Sequence, residues 1–223
     1  MKHHDQVVLV TGAGQGMGQE MIRYFAQAGA LVAALDINAE AVNETISLLP
    51  NEKAIGLTAN IADSASVKEA IDNVVAKFGR LDVIVNCAGV GSFDTFLETP
   101  DEHWDKVISV NLNGTFYCCR EAAKVMAKQG SGSIINISST AALTGEGPSH
   151  YCSSKAGVMG LTRSISRELA SHGVRVNTII PGPTNTPMMA GVPDEWTQKM
   201  IADIPLGRMA SIDSSLSIRC SKL

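Results

Sequence analysis

The chain has 223 residues, 45% of them hydrophobic, and a formal net charge of −4. This length suits one domain with a full hydrophobic core, which we expect to span 1–223. The charge is mildly acidic and no block of basic residues occurs, which argues against a nucleic-acid partner. Apolar stretches such as 174–180 are much shorter than the ~20 residues that cross a bilayer as a helix, so we expect no membrane association.

Short apolar runs alternate with helical patterns along the chain. The runs that predict buried strands are residues 7–11, 31–36, 54–59, 81–86, 133–138 and 174–180. Apolar residues at helical spacing predict helices at 17–28, 39–49, 64–78, about 99–128, 151–171 and 194–202. This alternation predicts an α/β fold, a doubly wound, Rossmann-like parallel sheet with helices on both faces in three layers. Ligands of such sheets bind at the carboxyl ends of the strands.

The helix at 99–128 has the clearest start signal. We expect Thr99 to be its N-cap, Pro100 to occupy the first helical position and Glu102 to complete a capping box. Its apolar spacing predicts an inward-facing stripe made of Trp104, Val107 and Ile108.

The cysteines and the first residues bear on the compartment. There are five cysteines, an odd number with no C-x-x-C pair, so we expect buried, reduced thiols. Residues 1–6 lead directly into a strand-like run and do not resemble a secretion signal. We therefore predict a cytoplasmic protein. The scattered histidines have no ligand spacing, and we expect no metal site.

A glycine-rich turn, TGAGQGMG at 11–18, follows the first predicted strand. Glycine allows a tight turn and the close approach of a pyrophosphate. The helix that follows presents free N–H groups and the positive end of its dipole to that anion. We expect this turn to bind the phosphates of a dinucleotide through Gly12, Gln15, Gly16, Met17 and Gly18.

The end of the second predicted strand bears on the choice of cofactor. Asp36 stands where a carboxylate accepts hydrogen bonds from the adenosine ribose and repels a 2′-phosphate. Ile37 follows it, where a protein that binds that phosphate would want a cation. These two residues favour NAD over NADP. The alternative is that Asp36 caps a turn and has no part in binding.

A tyrosine and a lysine form the predicted catalytic pair. Tyr151 and Lys155 are four residues apart, which places both side chains on one face of a helix. We expect the ammonium to lower the pKa of the tyrosine, which can then exchange a proton while hydride moves. Ser138 or Ser139 could stabilise charge on a carbonyl oxygen. Asn111, among apolar helix residues, needs either water leading towards Lys155 or a partner in the core.

Together these motifs resemble the short-chain dehydrogenase/reductase family, from about Val7 to Met209. The resemblance also rests on NCAG (86–89), NISS (136–139) and PG (181–182). It implies that Ser139 orients the substrate oxygen, Lys155 also holds the nicotinamide ribose and Asn111 supports a proton relay. It implies cofactor contacts, besides the glycine turn, Asp36 and Ile37, at Asn60, Ile61, Asn86, Ala88, Gly89, Tyr151, Lys155, Pro181, Gly182, Thr184 and Thr186. The family more often has Asp at position 60 and a second Asn at position 87.

The activity that the resemblance implies is hydride transfer between NAD(H) and a secondary alcohol or ketone, as in alcohol dehydrogenases and carbonyl reductases of class EC 1.1.1. A small or medium-sized substrate is expected, and the short chain disfavours an epimerase or dehydratase. The family also implies a homo-oligomer, a dimer or tetramer. His150 is either a substrate contact or a surface histidine. The other candidate pocket residues are Gly91, Ser92, Phe93, Thr140, Ala141, Met188, Met189 and Trp196.

The C-terminal part departs from the family pattern. The resemblance implies a substrate lid at 183–203, whereas 210–223 reads as an atypical tail, so we expect the last strand and helix of the family's sheet to be missing. A dinucleotide-binding protein with weak or absent catalysis is the alternative function. The terminal Ser221, Lys222 and Leu223 also match a peroxisomal address, the alternative to a cytoplasmic location.

Overall fold

The computed structural model describes residues 3–212 except 48 and 51. They form a six-stranded parallel sheet in the order β3-β2-β1-β4-β5-β6, which confirms the predicted doubly wound α/β fold. The predictions for 213–223, the terminal tripeptide among them, lie outside the described residues. The strands are β1 (Val7–Thr11), β2 (Leu31–Asp36), β3 (Ala54–Thr58), β4 (Val83–Asn86), β5 (Gly132–Ile137) and β6 (Val174–Ile179).

The central strand separates two hydrophobic cores. Every residue of β1 is buried, and its side chains alternate between the two faces because a strand has a period of two. Val7 and Leu9 pack into one core, and Val8 and Val10 into the other. An unbroken apolar strand of this kind is typical of parallel sheets covered on both sides.

Helices cover both faces of the sheet. The core that contains Val8 also contains residues of α1 (Gly16–Gln27) and α2 (Ala39–Ser47). The core that contains Val7 contains residues of three further helices, α3, α5 and α7. The remaining helical bounds are α3 (Ser64–Phe78), α4 (Asp101–Ile108), a π-helical segment (Ser109–Gly114), α5 (Thr115–Gln129), α6 (Ala141–Thr144), α7 (Ser149–Leu169) and α8 (Asp194–Ala202). None of the helices described is long and apolar enough to cross a membrane.

The predicted helix at 99–128 is continuous but differs at its start. Thr99 is not the N-cap, because its hydroxyl donates to the carbonyl oxygen of Thr95 at 2.8 Å. Pro100 takes the N-cap position and makes no side-chain cap. Trp104 does not face inward: it is 39% exposed, because α4 packs against α7 and not against the sheet. The helix also changes to π-helical geometry at Ser109–Gly114, which its apolar periodicity does not predict.

The strand order determines where a ligand can bind. The chain runs outward from β1 to β3, returns to the centre at β4 and continues to β6 on the other side. The crevice between the carboxyl ends of β1 and β4 is therefore the topological switch point. Thr11 and Asn86 are paired there, at the ends of the two strands. The predicted glycine turn follows Thr11, and the sequence NCAG begins with Asn86, so both motifs open into this crevice.

Candidate active site

The glycine turn after β1 has the geometry of an anion cradle. Gly12 has φ +69°, and a Cβ on it would lie 2.7 Å from the Cα of Ala88, so a side chain there would collide with the segment after β4. Gly16 has φ +58° and begins α1. Gln15, the N-cap, makes no side-chain cap, which leaves the first N–H groups of α1 available to an anion. Gly18 is buried in α1, and the Met17 side chain packs into the core beneath.

Asp36 both braces the turn and faces the crevice. One of its carboxylate oxygens accepts from the Gly14 N–H at 3.0 Å and the other from the Asn38 N–H at 3.1 Å. Asp36 therefore caps the turn, as the alternative interpretation predicted. Each carboxylate oxygen has a second lone pair, so ribose hydroxyls can bind the same group. Ile37 is 68% exposed and adds no charge beside it.

The residues after β3 form a capped turn. Asn60 Oδ1 accepts from the Ala62 N–H at 3.0 Å. Ile61 is buried and packs against the π-helical segment, where a Cβ on Gly114 would lie 2.8 Å from its Cδ1. Both residues lie near the carboxyl edge of the sheet, as the motif implies.

Asn86 does not turn its side chain towards the crevice. It is buried, and its Nδ2 donates to Asn136 Oδ1 at 2.8 Å. Asn136 in turn donates to Thr162 Oγ1 at 2.9 Å, so this amide belongs to a polar chain between the sheet and α7. The Asn86 Oδ1 atom is buried and has no hydrogen-bond partner within the described residues. Ala88 donates its N–H to Thr11 Oγ1 at 3.1 Å, which ties the ends of β1 and β4 together.

Asn111 is a satisfied core asparagine. It is fully buried in the π-helical segment, and its amide pairs with both backbone groups of Val90, at 2.8 and 2.9 Å. Its Nδ2 also donates to Ser154 Oγ at 3.2 Å. Its side chain thus fixes the loop after β4. A Cβ on Gly89 would lie 3.3 Å from Asn111 Oδ1 and 3.4 Å from Lys155 Nζ, so these three residues are neighbours.

Ser139, Tyr151 and Lys155 meet at the end of β5. The Lys155 ammonium lies 5.7 Å from the centroid of the Tyr151 ring, on the same face of α7, as their spacing predicts. It donates to the Ile137 carbonyl oxygen at 3.0 Å. The Ser139 hydroxyl is close enough to the Tyr151 phenol to lower the pKa of that phenol. Ser138 is buried and donates to the Lys155 carbonyl oxygen at 2.9 Å, so Ser139 is the serine whose hydroxyl acts on the Tyr151 phenol.

The electrostatics of this pair differ from the prediction. Burial raises the pKa of the Tyr151 phenol, and the hydrogen bond from Ser139 opposes that rise. The expected lowering of the Tyr151 pKa is wrong, because burial, which disfavours the phenolate, is the largest cause of the shift. Burial also lowers the pKa of Lys155 to about 8. The nearby Cys87 thiol is half-buried, and desolvation raises its pKa to about 11. The four cysteines within the described residues are free.

The segment after β6 closes the crevice from above. The Pro181 carbonyl oxygen accepts from the Thr140 N–H at 3.0 Å, and the Gly182 carbonyl oxygen accepts from the Thr184 hydroxyl at 3.0 Å. Thr186 lies over the glycine turn, because a Cβ on Gly16 would come within 3.7 Å of it. A cavity of about 550 Å³ opens here. It is lined by Asn185, Thr186, Pro187, Met189, Ala190, Val192, Asp194, Thr197 and Met209.

Two backbone hydrogen bonds hold the start of the predicted lid, at 183–185, against Ala210. Asn185 donates its N–H to the Ala210 carbonyl oxygen at 2.9 Å, and Ala210 donates to the Pro183 carbonyl oxygen at 3.0 Å. Helix α8 has the predicted bounds 194–202. Phe93, in the loop after β4, faces this segment, because a Cβ on Gly191 would lie 3.5 Å from its ring.

His150 is neither at the surface nor free. It is fully buried, and its Nε2 lies 2.7 Å from Ser92 Oγ. Asp94 and His103 extend this contact into a polar cluster, which sequence reasoning missed. The one signal was a histidine beside Tyr151, and its partners lie 47 or more positions away in the chain, which no local pattern reveals.

Comparisons with known proteins agree with this geometry. A family model described as short chain dehydrogenase matches residues 6–196. The (3R)-3-hydroxyacyl-CoA dehydrogenase of Rattus norvegicus is 40% identical over 215 residues, covering 91% of this chain and 83% of that protein. The 3-oxoacyl-[acyl-carrier-protein] reductase FabG of Thermotoga maritima is 39% identical over 212 residues, covering 93% and 86%. The solved structure of NAD+-bound xylitol dehydrogenase has a TM-score of 0.89 at 28% identity, covering 96% of this chain and 90% of that one.

Proposed function

Because the chain belongs to the short-chain dehydrogenase/reductase family of oxidoreductases, we propose that it moves a hydride between NAD(H) and a secondary alcohol or ketone, with Tyr151 as acid/base. The observation that carries this proposal is the meeting of Ser139, Tyr151 and Lys155 at the carboxyl edge of the sheet, next to the glycine turn. A phenol, a hydroxyl and a cation beside a dinucleotide crevice form the set that proton-coupled hydride transfer needs.

Each side chain has a distinct part in the proposed reaction. Bound NAD(H) supplies or accepts the hydride. In ketone reduction the Tyr151 phenol donates its proton to the substrate oxygen, and in alcohol oxidation the phenolate accepts that proton. Ser139 donates a hydrogen bond to the same oxygen and stabilises the charge that develops on it. Lys155, as an ammonium, favours the phenolate and is placed to hold the ribose. Asn111 positions the loop after β4 through Val90.

We favour NAD over NADP as the cofactor. Members of the family use either. The carboxylate of Asp36 is held at the crevice by Gly14 and Asn38, where its charge would repel a 2′-phosphate. The exposed Ile37 beside it offers no compensating cation.

We propose that the substrate is a 3-oxoacyl or 3-hydroxyacyl thioester. The rat and Thermotoga maritima relatives are named for 3-hydroxyacyl-CoA and for 3-oxoacyl carrier protein. The cavity beside the lid combines apolar side chains with Asp194. A carboxylate in the lining disfavours a free acid, whose own carboxylate it would repel, whereas the same acyl group as a thioester carries no charge at that end.

The test is NADH oxidation with 3-oxobutanoyl-CoA, with free 3-oxobutanoate, and with NADPH in place of NADH. We expect the thioester with NADH to give the highest kcat/KM. Tyr151→Phe should lower kcat by about 10³-fold, because positioned acid/base groups contribute 10²- to 10⁴-fold, and leave the NADH Kd within about twofold. Tight NADH binding without turnover of any substrate would contradict the proposal and favour a binding protein instead.

A cytoplasmic location remains our proposal, with a peroxisomal one as the alternative. The free cysteines within residues 3–212 are typical of a reducing compartment.

A further inference from the structure

Four polar side chains form a cluster beside Tyr151 that the reaction proposed above does not use. His150, the residue before Tyr151, is fully buried and its Nε2 lies 2.7 Å from Ser92 Oγ. Ser92 Oγ lies 2.5 Å from Asp94 Oδ2. The same carboxylate oxygen lies 2.8 Å from Nδ1 of His103 on α4. The cluster therefore joins three segments: the loop after β4, α4 and the first turn of α7.

The direction of these hydrogen bonds follows from the groups involved. A carboxylate only accepts and a serine hydroxyl has one proton, so Ser92 donates to Asp94 and accepts from the Nε2–H of His150. Hydrogen bonds from Ser92 and His103 lower the pKa of Asp94 to about 2. The anion at the centre of the cluster is therefore present throughout the working pH range.

The first turn of α7 needs such an anchor. The N-cap of α7 is Pro148, and it makes no side-chain cap, although the N–H groups of a first helical turn have no partners within the helix. His150, in that turn, is instead tied to Ser92 in the loop after β4. The same loop also contacts the phenol ring, because a Cβ on Gly91 would lie 3.7 Å from Tyr151 Cδ2.

We propose that His150, Ser92 and Asp94 are positioning residues for Tyr151. They hold the first turn of α7 against the loop after β4, so that the phenol stays on the Ser139 hydroxyl, and His103 supports Asp94 from the outer side. This inference rests on the proposed function, because it assigns the cluster a role through Tyr151. Without the Ser92 hydroxyl, the buried His150 Nε2 would keep only Asp94, whose Oδ2 lies 3.5 Å away, and the turn would move to shorten that contact.

The test compares Ser92→Ala with Ser92→Thr, which keeps the hydroxyl, and with Asp94→Asn, which keeps the size but not the charge. Thr95→Ala is the matched control, because Thr95 is in the same loop and its hydroxyl bonds only the exposed Glu98 side chain, at 3.0 Å. Ser92→Ala and Asp94→Asn should lower kcat about tenfold, since small displacements of a reacting group cost one to two orders of magnitude. KM and the NADH Kd should stay within about twofold.

Two further readouts separate positioning from mere support of the fold. The pH profile of kcat should shift upward in Ser92→Ala, because a displaced phenol loses the influence of the Ser139 hydroxyl, which favours its anion. Amide hydrogen exchange of Cys152 in α7, whose N–H donates to the Pro148 carbonyl oxygen at 3.0 Å, should become faster in Ser92→Ala and Asp94→Asn. Ser92→Thr should restore both readouts, and Thr95→Ala should change neither.

The outcomes are distinct. A lower melting temperature of Ser92→Ala with unchanged kcat, pH profile and exchange overturns the inference. If the unmodified protein turns over no substrate, the proposed function fails, but hydrogen exchange still tests the positioning role of the cluster. Unchanged exchange in α7 of Ser92→Ala overturns that role. Faster exchange in Ser92→Ala that is absent in Ser92→Thr supports it.

Discussion

At the scale of single residues, the burial of Lys155 has a direct consequence for the order in which the active-site groups lose their protons. It is 5% exposed, and burial lowers the pKa of its ammonium to about 8. Burial raises the pKa of Tyr151 at the same time. In the free enzyme, the lysine is thus the first of the pair to lose its proton as the pH rises, and the tyrosine stays protonated beyond that point.

This order predicts the pH profile of ketone reduction. Because kcat/KM reports the free enzyme, it should be level below pH about 8 and fall about tenfold per pH unit above it, as the Lys155 ammonium is lost. Lys155→Arg is the control: a guanidinium stays charged, so this variant should be slower but should lack the break near 8. A break that stays near 8 in Lys155→Arg would assign it to another group.

Some properties of single residues could be predicted from the sequence, and others depend on contacts between distant parts of the chain. The spacing of Tyr151 and Lys155 is local, so their shared helix face could be predicted. The choice of Ser139 over Ser138 came from the family resemblance, because no local pattern shows that Ser138 donates to the Lys155 carbonyl oxygen across the fold. Asn86 was assigned to the cofactor by its motif, whereas its amide bonds Asn136, 50 positions later in the chain.

At the scale of elements, helices with local signals were predicted well. The bounds of α3 were predicted correctly because Asp63 caps its start, accepting from the Ala65 N–H, and Gly79 ends it with φ +78°. The start of α4 was wrong because Thr99 had a competing partner in Thr95. The π-helical segment depends on long-range packing: Gly114 allows its backbone to approach Ile61, and no periodicity in the sequence records that contact.

That close approach yields a prediction for the element. In Gly114→Ala the new Cβ would lie 2.8 Å from Ile61 Cδ1, so overpacking should outweigh the helix propensity gained and lower the unfolding free energy by about 1 kcal/mol. In an Ile61→Ala background the loss should become smaller, because the contacting side-chain carbons are gone and only the backbone oxygen of residue 61, at 3.1 Å, remains. Urea unfolding of the four proteins in the cycle measures this. A loss of equal size in both backgrounds would show that the Ile61 side chain is not the cause.

At the scale of the whole molecule, the site is assembled from the ends of several strands. Topology alone brings together the turn after β1, the loop after β4, Ser139 after β5 and the segment after β6. For that reason the position of the site could be predicted from the alternation of strands and helices. The role of the exposed helix faces could not be predicted, because the sequence does not show what each face contacts.

One such surface runs along α5 and α7, and we propose that it is the contact of a homodimer or tetramer. A groove of about 300 Å³ lies between the two helices, where Phe116 is 40% exposed. Its lining combines apolar side chains with Arg120 and Lys124 on α5 and with Glu168 on α7. In a twofold contact each copy presents the same patch, so the cations of one copy can face the acid of the other.

The oligomer prediction is tested by Ala127→Arg, which places a large cation in the groove. Ala127 is half-buried on α5, so the change should leave the fold intact and disfavour a contact that has to exclude water. We expect the assembly to dissociate towards the 23.5 kDa chain, measured by light scattering on a sizing column. Ala202→Arg makes the same substitution at an exposed position of α8 and should keep the larger mass. Both variants gain the same charge, so dissociation of Ala127→Arg alone assigns the contact to α5 and α7. If Ala127→Arg keeps the larger mass, as Ala202→Arg should, the contact lies elsewhere.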